Sequence, residues 1–460
     1  MKLLFHLAIS MVIIGFLFFN ECQNPVSLPI LPVITVQPVS QTINAGKSVT
    51  LNVIATGTEP LSYQWEKDGV NIIGATSNNY SITSVKAGNA GNYTVLVNNS
   101  IGSVTSSMAV LSVIDYFLNA QSVSLSYGLF TMIIQIGGTL WACGANDFGQ
   151  LGDGTTTDEK AFDSIMTNVQ YVSAGLGHTL MVKTDASLWV CGRNDVGELG
   201  DGTIINKSIP EKIMTSVQSI SAGQQHSLII KTDGTLWACG NNTSGQLGDG
   251  TVVNKYTPEQ IMTGVQNISC GASYSMILKS DGTLWACGLN NLGQLGNGTT
   301  IDCLTPVQIM RDVKSVSASG MNTMIIKNDG SLWACGDNSY GQLGDGSTIA
   351  KYLPVQVMTG VQSVSAGQYH TMILRTDGTL WACGGNQNGQ LGIGYSSTLA
   401  TSSPAPILTG VRSVSASGNQ TMIIKNDGTL WACGANSFGQ LGDGTTTERD
   451  SLVRVRQIFN

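Results

Sequence analysis

Thiols and carboxylates recur in this sequence at fixed distances, and such groups can hold metal ions or carry redox chemistry. The stretch TLWACGANDFGQLGDGTTT, residues 139–157, holds one tryptophan, one cysteine and two aspartates. The tryptophans of near-identical copies follow every 48 residues, with a last interval of 50, and each copy brings a cysteine: Cys143, Cys191, Cys239, Cys287, Cys335, Cys383 and Cys433. Zinc ligands form close local clusters, whereas these thiols are spread over separate copies. We therefore interpret them as small apolar side chains that pack beside tryptophan and stay reduced, and we predict no metal site and no cofactor.

Two further sets of side chains could take part in chemistry, and neither keeps one identity in all copies. Asp153 is matched by aspartate in four other copies but by Asn297 and Ile393 in two, and its loop lacks the alternating carboxylates of a calcium site. Histidine stands at one equivalent position in three copies, and four other residue types fill it elsewhere: His178, His226 and His370 against Phe130, Tyr274, Asn322 and Gln420. Unlike residues cannot form one coordination set, so we expect the histidines to cap a turn or line a face. No serine-hydrolase elbow or zincin motif occurs, and we predict no catalytic residue.

Short strands must position these groups. The sixth copy resolves into four apolar segments, PVQVM, VQSVSAG, HTMILRT and GTLWACG, with the hairpin signal Asp377-Gly378 between two of them. Four strands per copy and a period near 50 predict an all-β fold, a β-propeller over residues 116–460. No PVQIM-like segment leads into the first copy, whereas SLVRVRQIFN at 451–460 follows the last copy. We therefore predict that the C-terminal strand completes the first blade and closes the ring.

The N-terminus predicts export. Met1 and Lys2 precede an apolar run from 3 to 19, so residues 1–21 are interpreted as a signal peptide or an uncleaved anchor. Cys22 resembles the lipid-modified cysteine of bacterial lipoproteins, although Phe19, Asn20 and Glu21 depart from the small residues usual before it. A secreted or extracytoplasmic location is expected, and membrane attachment through Cys22 or the apolar segment stays open. The proline-containing residues 22–32 predict a linker.

The charge balance argues against one class of partner. Only 11% of the residues are charged and the formal net charge is −7. Contacts to phosphate groups need clustered basic side chains, so nucleic acid is not expected as a partner. We expect the chain to be a monomer.

Residues 33–114 alternate short apolar runs with turn residues, which predicts an antiparallel sandwich. The segment resembles an immunoglobulin-like domain, with Trp65 in the place of the buried core tryptophan and Tyr93 in that of the corner tyrosine. Val53 and Val95 stand where many members of that family have bridging cysteines, so apolar packing is expected instead of a disulfide. Because this fold hosts many unrelated functions, the resemblance implies only a spacer or adhesive module.

The copies between 116 and 460, with the motifs WxCGxNxxGQLGxG and VxSVSAGxxHT, resemble the regulator of chromosome condensation repeat family. The resemblance implies a seven-bladed β-propeller. Some members promote nucleotide exchange on a small nuclear GTPase and bind chromatin, but the export signal, the acidic balance and the near-constant repeat length depart from that subgroup. A secreted bacterial propeller of this type inhibits β-lactamases through one face, and this likeness implies protein binding without identifying a target.

Positions at which the copies disagree are the candidates for contact with a partner. They cluster before the central hairpin and after WxCG, and the aromatic ones are Phe148, Tyr340, Tyr369 and Phe438. Exposed aromatic side chains are suitable as anchors of an interface, although neutral sequence change in surface loops would produce the same variety. We predict a non-enzymatic protein-binding or adhesion scaffold; the alternative is a hydrolase or other enzyme with a site assembled at the mouth of the propeller channel. The sequence leaves open whether Cys270 pairs with Cys303.

Overall fold

The computed structural model describes residues 28–116, 119–127 and 129–459. Cys22 and the predicted signal segment lie outside these residues. The chain divides into two compact units, the first reaching residue 111 without residues 86–88 and the second containing those three and everything from 112 on. Strands dominate the described residues, which hold one short 3-10 helix at Ala87–Asn89. No helix among them is long and apolar enough to cross a membrane.

The first unit is an antiparallel sandwich, as the alternating pattern predicts. Its strands are β1 (Val33–Val36), β2 (Gln41–Asn44), β3 (Val49–Asn52), β4 (Ile54–Thr56), β5 (Ser62–Lys67), β6 (Val70–Asn71), β7 (Asn79–Ile82), β8 (Gly91–Asn98), β9 (Ser103–Thr105) and β10 (Ala109–Tyr116), of which residues 112–116 already belong to the second unit. The main sheet has the order β2-β10-β8-β5-β6 with β9 on β8, and β1–β4 and β3–β7 form separate pairs.

The core of this unit contains the residues that carry the immunoglobulin resemblance. Trp65 is completely buried and its Nε1 donates to the carbonyl of Ser77 at 3.0 Å. The Tyr93 hydroxyl donates to the carbonyl oxygen four residues upstream at 2.7 Å, which is the bond of a tyrosine corner. Val53 and Val95 are buried. Apolar packing therefore occupies the place of the disulfide, as expected.

The second unit contains, within its described residues, seven four-stranded antiparallel sheets, each made of four consecutive strands. We number these sheets blades 1 to 7. Blades 1 to 3 are β11 (Ala120–Leu125), β12 (Phe130–Gln135), β13 (Leu140–Gly144), β14 (Glu159–Met166); β15 (Val169–Ala174), β16 (His178–Lys183), β17 (Leu188–Gly192), β18 (Lys207–Met214); β19 (Val217–Ala222), β20 (His226–Lys231), β21 (Leu236–Gly240), β22 (Lys255–Met262). Blades 4 and 5 are β23 (Val265–Cys270), β24 (Tyr274–Lys279), β25 (Leu284–Gly288), β26 (Cys303–Met310); β27 (Val313–Ser319), β28 (Asn322–Lys327), β29 (Leu332–Gly336), β30 (Lys351–Met358). Blades 6 and 7 are β31 (Val361–Ala366), β32 (His370–Arg375), β33 (Leu380–Asn386), β34 (Ser397–Leu408); β35 (Val411–Ser417), β36 (Gln420–Lys425), β37 (Leu430–Gly434), β38 (Arg449–Arg454). A last strand, β39 (Arg456–Phe459), follows.

Asp-Gly pairs form the turn between the second and third strands of a blade. In blade 3, Gly234 has φ 76°, a conformation that favours glycine, while Asp233 accepts a hydrogen bond from the Thr235 backbone N–H at 2.9 Å. The Thr235 hydroxyl in turn accepts from Trp237 Nε1 at 2.9 Å. Local hydrogen bonds therefore fix both the turn and the tryptophan that follows it.

The prediction that the C-terminal strand completes the first blade is wrong. Blade 1 takes all four strands from residues 120–166, and β38 is instead the fourth strand of blade 7. The PVQVM-like segment pairs with the WACG strand that precedes it, as Gly336 faces Lys351 in blade 5, and so belongs to the earlier blade. Strand β39 pairs with residues 113–116, just before blade 1. The physical reason is the hydrogen-bonded loop after WxCG, which returns the chain alongside its own third strand.

The ring is closed by side-chain packing between blades 1 and 7, and not by a strand from the C-terminus that completes blade 1. Side chains of blades 1 and 7 form one apolar cluster that includes Ile133, Phe162, Met422, Leu430 and Val455. A Cβ atom placed on Gly442 of blade 7 would clash with the Phe162 ring of blade 1, so the two blades touch closely there. Blades 7 and 1 thus pack as neighbouring blades within the chain do.

Candidate functional site

Two loops of every blade emerge at the same end of the propeller. Strand direction alternates within a blade, so the connection between strands one and two and the connection between strands three and four share one end. In blade 2 these connections are residues 175–177 and 193–206. We call the surface formed by both sets of connections the loop face. All four aromatic residues predicted to contact a partner lie in these connections.

The longer connection is held by buried polar side chains. In blade 2 the side chain of Asn194 accepts from Leu199 N at 3.0 Å and donates to Asp201 at 2.9 Å. Asp201 also accepts from the backbone N–H and hydroxyl of Thr203. Burial opposes ionisation of Asp201, but these hydrogen bonds outweigh it and lower the pKa. The recurring aspartate therefore braces the loop, and Asn297 accepts the same bonds in blade 4.

The recurring cysteines lie at the seams between blades. The carbonyl of Gln150 in blade 1 accepts from Thr179 Oγ1 at 2.7 Å and from Cys191 Sγ at 3.5 Å in blade 2. At the closing seam, the carbonyl of Gln440 accepts from Thr131 Oγ1 at 2.7 Å and from Cys143 Sγ at 3.6 Å. All seven repeated cysteines are buried free thiols, and burial raises their pKa values, to about 12 for Cys239, Cys335 and Cys383.

The two other cysteines among the described residues are also free. Cys270 is buried and Cys303 is half-buried, and they do not form a disulfide with each other. Among the residues that the structure describes, no group of three or more His, Cys, Asp or Glu side chains could hold a metal ion.

The expectation that the histidines cap a turn or line a face is wrong. His178, His226 and His370 are completely buried, and each imidazole spans a seam to a hydroxyl on the next blade. His226 Nε2 lies 3.2 Å from Ser275 Oγ, whose own proton is donated to the carbonyl of Gln246 at 2.7 Å. The serine therefore accepts from Nε2, so the imidazole is a donor there and cannot act as the base of a nucleophilic pair. Burial lowers the pKa of His226 and of His370 to about 4.

The structure brings two of the four predicted contact residues together. The rings of Tyr340 in blade 5 and Tyr369 in blade 6 are half-buried, with centroids 4.8 Å apart. Phe148 and Phe438 are each 36% exposed. The Arg193 guanidinium lies over the Phe148 ring at 5.4 Å from its centroid. All four aromatic residues therefore remain at least partly accessible on the loop face.

Sequence reasoning missed the charged groups on this face. Glu198 stands where the other six copies have glutamine and is completely buried. One of its oxygens accepts from Val196 N at 3.0 Å, and the other has no hydrogen-bond partner and lies 3.9 Å from Arg193 Nε. Burial is the main cause that raises the pKa of Glu198 to about 7. The signal in the sequence was the single exchange of Gln for Glu in a repeated motif.

A cavity on the propeller axis corresponds to the channel in which an enzyme site was the alternative prediction. Its volume is about 250 Å³, and the first strands of the blades line it chiefly with serine and alanine. Tyr127 contributes a hydroxyl and Cys270 a thiol. No carboxylate or imidazole is among its described lining residues. The described lining of the channel is therefore polar and holds no carboxylate or imidazole that could exchange a proton near neutral pH.

Comparison with known families identifies the propeller. The model described as Regulator of chromosome condensation (RCC1) repeat matches six times, at residues 137–182, 185–230, 233–278, 281–326, 329–374 and 377–424. The chain belongs to the RCC1 repeat family. A second RCC1 repeat model matches five stretches between 217 and 440, and an Immunoglobulin domain model matches residues 32–99 of this RCC1-repeat protein. A search of the curated proteins found no match.

Three solved structures share the propeller fold of this RCC1-repeat chain. Human WBSCR16 is 20% identical with a TM-score of 0.62, over 69% of this chain and 94% of its own. Yeast RCC1 (Prp20), solved bound to Kap60, is 20% identical with a TM-score of 0.63, over 70% and 84%. Prp20p from Saccharomyces cerevisiae, described with its binding to Gsp1p and histones, is 22% identical with a TM-score of 0.62, over 70% and 87%. These likenesses show the fold.

Proposed function

We propose that this RCC1-repeat protein is an exported, non-enzymatic scaffold that binds a protein partner through the loop face. The proposal rests on one observation: the positions that are constant among the repeats lie at the seams between blades, and the positions that vary lie on the loop face. The Gln carbonyl, Thr or Ser hydroxyl and Cys thiol of each seam are buried and nearly constant, whereas the loop face presents different side chains from each blade. A ring of unlike, accessible side chains on a rigid support is what a specific protein interface requires.

The aromatic residues of the loop face support this proposal. Phe148 and Phe438 are partly exposed, and Tyr340 packs against Tyr369. Large aromatic side chains with few rotatable bonds lose little entropy on binding and often act as hot spots. If a partner covers these rings, each Å² of apolar area removed from water contributes about 25 cal/mol to the binding free energy. These four residues are the proposed anchors.

Export forms part of the proposal and rests on the sequence of residues 1–21. Mass spectrometry of the protein recovered from a secreting bacterial host provides the test. We expect an N-terminus after the apolar run, and a mass that includes acyl chains if Cys22 is lipidated. Recovery in the cytosol with Met1 or Lys2 still at the N-terminus would contradict export.

Binding through the loop face is tested with one fourfold variant and a matched control. The loop-face variant carries Phe148→Ala, Tyr340→Ala, Tyr369→Ala and Phe438→Ala. The control variant carries alanine at exposed glutamines near the start of first strands, at the opposite end of the propeller: Gln218, Gln266 and Gln362. Each protein is cross-linked to surface proteins of neighbouring cells, and captured proteins are quantified against the wild type.

A partner captured by the wild type and the control, but lost by at least about tenfold from the loop-face variant, is the expected result. Equal capture by all three proteins would place binding elsewhere and refute the proposal. Melting temperatures of the variants show whether the fold is retained. A loss of capture then reports on the surface rather than on unfolding.

A further inference from the structure

The loop face contains a pocket of about 220 Å³ that extends over blades 3 to 6. Connections between first and second strands supply most of its wall: Gln224, Ala272, Ser273, Gly320, Met321, Gln368 and Tyr369. Asp337, the first residue after WxCG in blade 5, supplies the one carboxylate of this wall. The pocket therefore combines a thioether, an aromatic ring and amide groups with a single negative charge. Its size suits one long side chain rather than a polypeptide segment.

Asp337 has no cationic partner within 4.0 Å among the described residues. Its Oδ1 accepts from Ser339 N at 3.0 Å, and its Oδ2 accepts from Ser339 Oγ at 3.1 Å and from Gln342 Nε2 at 2.9 Å. These neutral donors hold the half-buried carboxylate in place. The negative charge next to the pocket is thus fixed in position and unneutralised.

Most charges on the surrounding face are also negative. Among the four residues that follow WxCG in each copy, Asp147, Asp195 and Asp337 are acidic and only Arg193 is basic. Arg193 is already bonded to Asp195, with Nε to Oδ1 at 2.6 Å. A cation brought to this face is therefore attracted, and of these three carboxylates it is that of Asp337 that lines the pocket.

The chain itself shows how this face accommodates a cation. Arg193 lies over the ring of Phe148 and pairs with a carboxylate. The equivalent aromatic residue in blade 5 is Tyr340, but the next blade has Gly385 where blade 2 has Arg193. A Cβ atom on Gly385 would lie 3.4 Å from the Tyr340 ring. At the seam between blades 5 and 6, aromatic rings and a carboxylate are present and the cation is missing.

We propose that this pocket receives a cationic side chain, an arginine or a lysine, of the protein partner. The cation would bind the carboxylate of Asp337, and its aliphatic stem would lie along Met321 and Tyr369. A guanidinium group over an aromatic ring adds a cation–π contribution to the charge contact. The inference rests on the proposed function, since it names the chemistry by which the loop face selects its partner.

The experiment measures binding of small probes to the full chain by ligand-observed NMR. The probes are N-acetyl-arginine amide, N-acetyl-lysine amide and the neutral isostere N-acetyl-citrulline amide. The proteins are the wild type, Asp337→Asn and the control Asp147→Asn, which removes one negative charge from the same face outside the pocket. Melting temperatures show that both variants fold.

We expect the wild type to bind a cationic probe at least about tenfold more tightly than citrulline amide, which corresponds to about 1.4 kcal/mol. Asp337→Asn should abolish this preference, and Asp147→Asn should retain it. Equal affinity for citrulline amide, no binding of either cationic probe, or an unchanged preference in Asp337→Asn would overturn the proposal.

The pocket and the proposed function can fail separately. A partner that is lost from the fourfold loop-face variant but bound equally by the wild type and Asp337→Asn would overturn the pocket and leave the function standing. A preference for cationic probes that depends on Asp337, with equal capture of partners by the loop-face variant, would overturn the function and leave the pocket standing.

Discussion

The buried histidines predict that the propeller loses stability in mild acid. His178, His226 and His370 are neutral in the folded chain because burial lowers their pKa values, to about 3 for the first and about 4 for the other two. An exposed imidazole titrates near pH 6.5. Below that pH the unfolded chain binds protons that the folded chain does not. The contribution of the neutral histidines to the free energy of unfolding is therefore complete above pH 6.5 and is lost as the pH falls towards 4.

The size of the effect follows from these pKa values. For one histidine with a folded pKa of about 4, the free energy of unfolding falls by about 2 kcal/mol between pH 7 and pH 5. Three such residues together give about 6 kcal/mol, which is a large part of the stability of a typical protein. Replacement of His226 by Asn should remove about a third of this dependence. Asparagine is the residue of the chain's own fifth blade, where Asn322 Nδ2 donates across the seam to the carbonyl of Gly367 at 3.1 Å.

Glu198 provides a counter-test of opposite sign. Its pKa is raised, mainly by burial, so the folded chain binds the proton more tightly and stability increases as the pH falls from 7 to 5. Glu198→Gln restores the residue of the other six copies and removes this gain of about 2 kcal/mol. The loss of stability in acid should therefore be steeper in Glu198→Gln than in the wild type, and shallower in His226→Asn.

The assay is urea unfolding at several pH values between 7 and 5, followed by tryptophan fluorescence. The change of the midpoint with pH is compared among the wild type and the two variants, because the absolute midpoint also contains the cost of the substitution. If His226→Asn shows the same pH dependence as the wild type, the argument from the buried neutral imidazole is refuted.

Three further predictions concern the seams, the thiols and the first unit. Thr131→Val at the closing seam should lower the stability by about 1–2 kcal/mol, the same as Thr179→Val at an internal seam, because each leaves one buried carbonyl short of a donor; unequal losses in urea unfolding would show that the ring closes differently. In a Cys22→Ser variant, Ellman's reagent should react with Cys303 in the native protein and with the eight buried thiols only after unfolding; rapid reaction of further thiols would contradict the packing at the seams. Tyr93→Phe should destabilise the first unit by about 1 kcal/mol through loss of its corner hydrogen bond, measured by thermal unfolding, and an unchanged melting temperature would show that this bond adds nothing.

The sequence predicts the blades because their periodic signals are local. The Asp-Gly turns and alternating apolar residues require only neighbouring residues to act, and the structure confirms the all-β propeller and the immunoglobulin-like core around Trp65 and Tyr93. The partner of each strand is a non-local property. A long loop separates the segment PVQVM from the third strand of its own blade, whereas only two residues separate it from the first strand of the next blade. Distance along the chain therefore suggests the wrong neighbour.

The histidines show a second limit of sequence reasoning. The variety at the position shared by His178, Tyr274 and Asn322 resembles the drift of a surface loop, yet all three residues are buried and bridge neighbouring blades. A seam can be satisfied by several polar side chains if each finds a donor or acceptor on the next blade. Comparison of the copies also could not predict the pocket beside Asp337, because its wall is assembled from residues of several blades.

Blades made of consecutive residues have a consequence for rearrangement of the gene. Two residues, Thr215 and Ser216, link the last strand of blade 2 to the first strand of blade 3. Ala120 and Val455, at the two ends of the propeller, share one cluster of buried side chains. A circular permutation that joins these ends by a short linker and opens the chain at 215–216 would therefore leave all seven sheets intact.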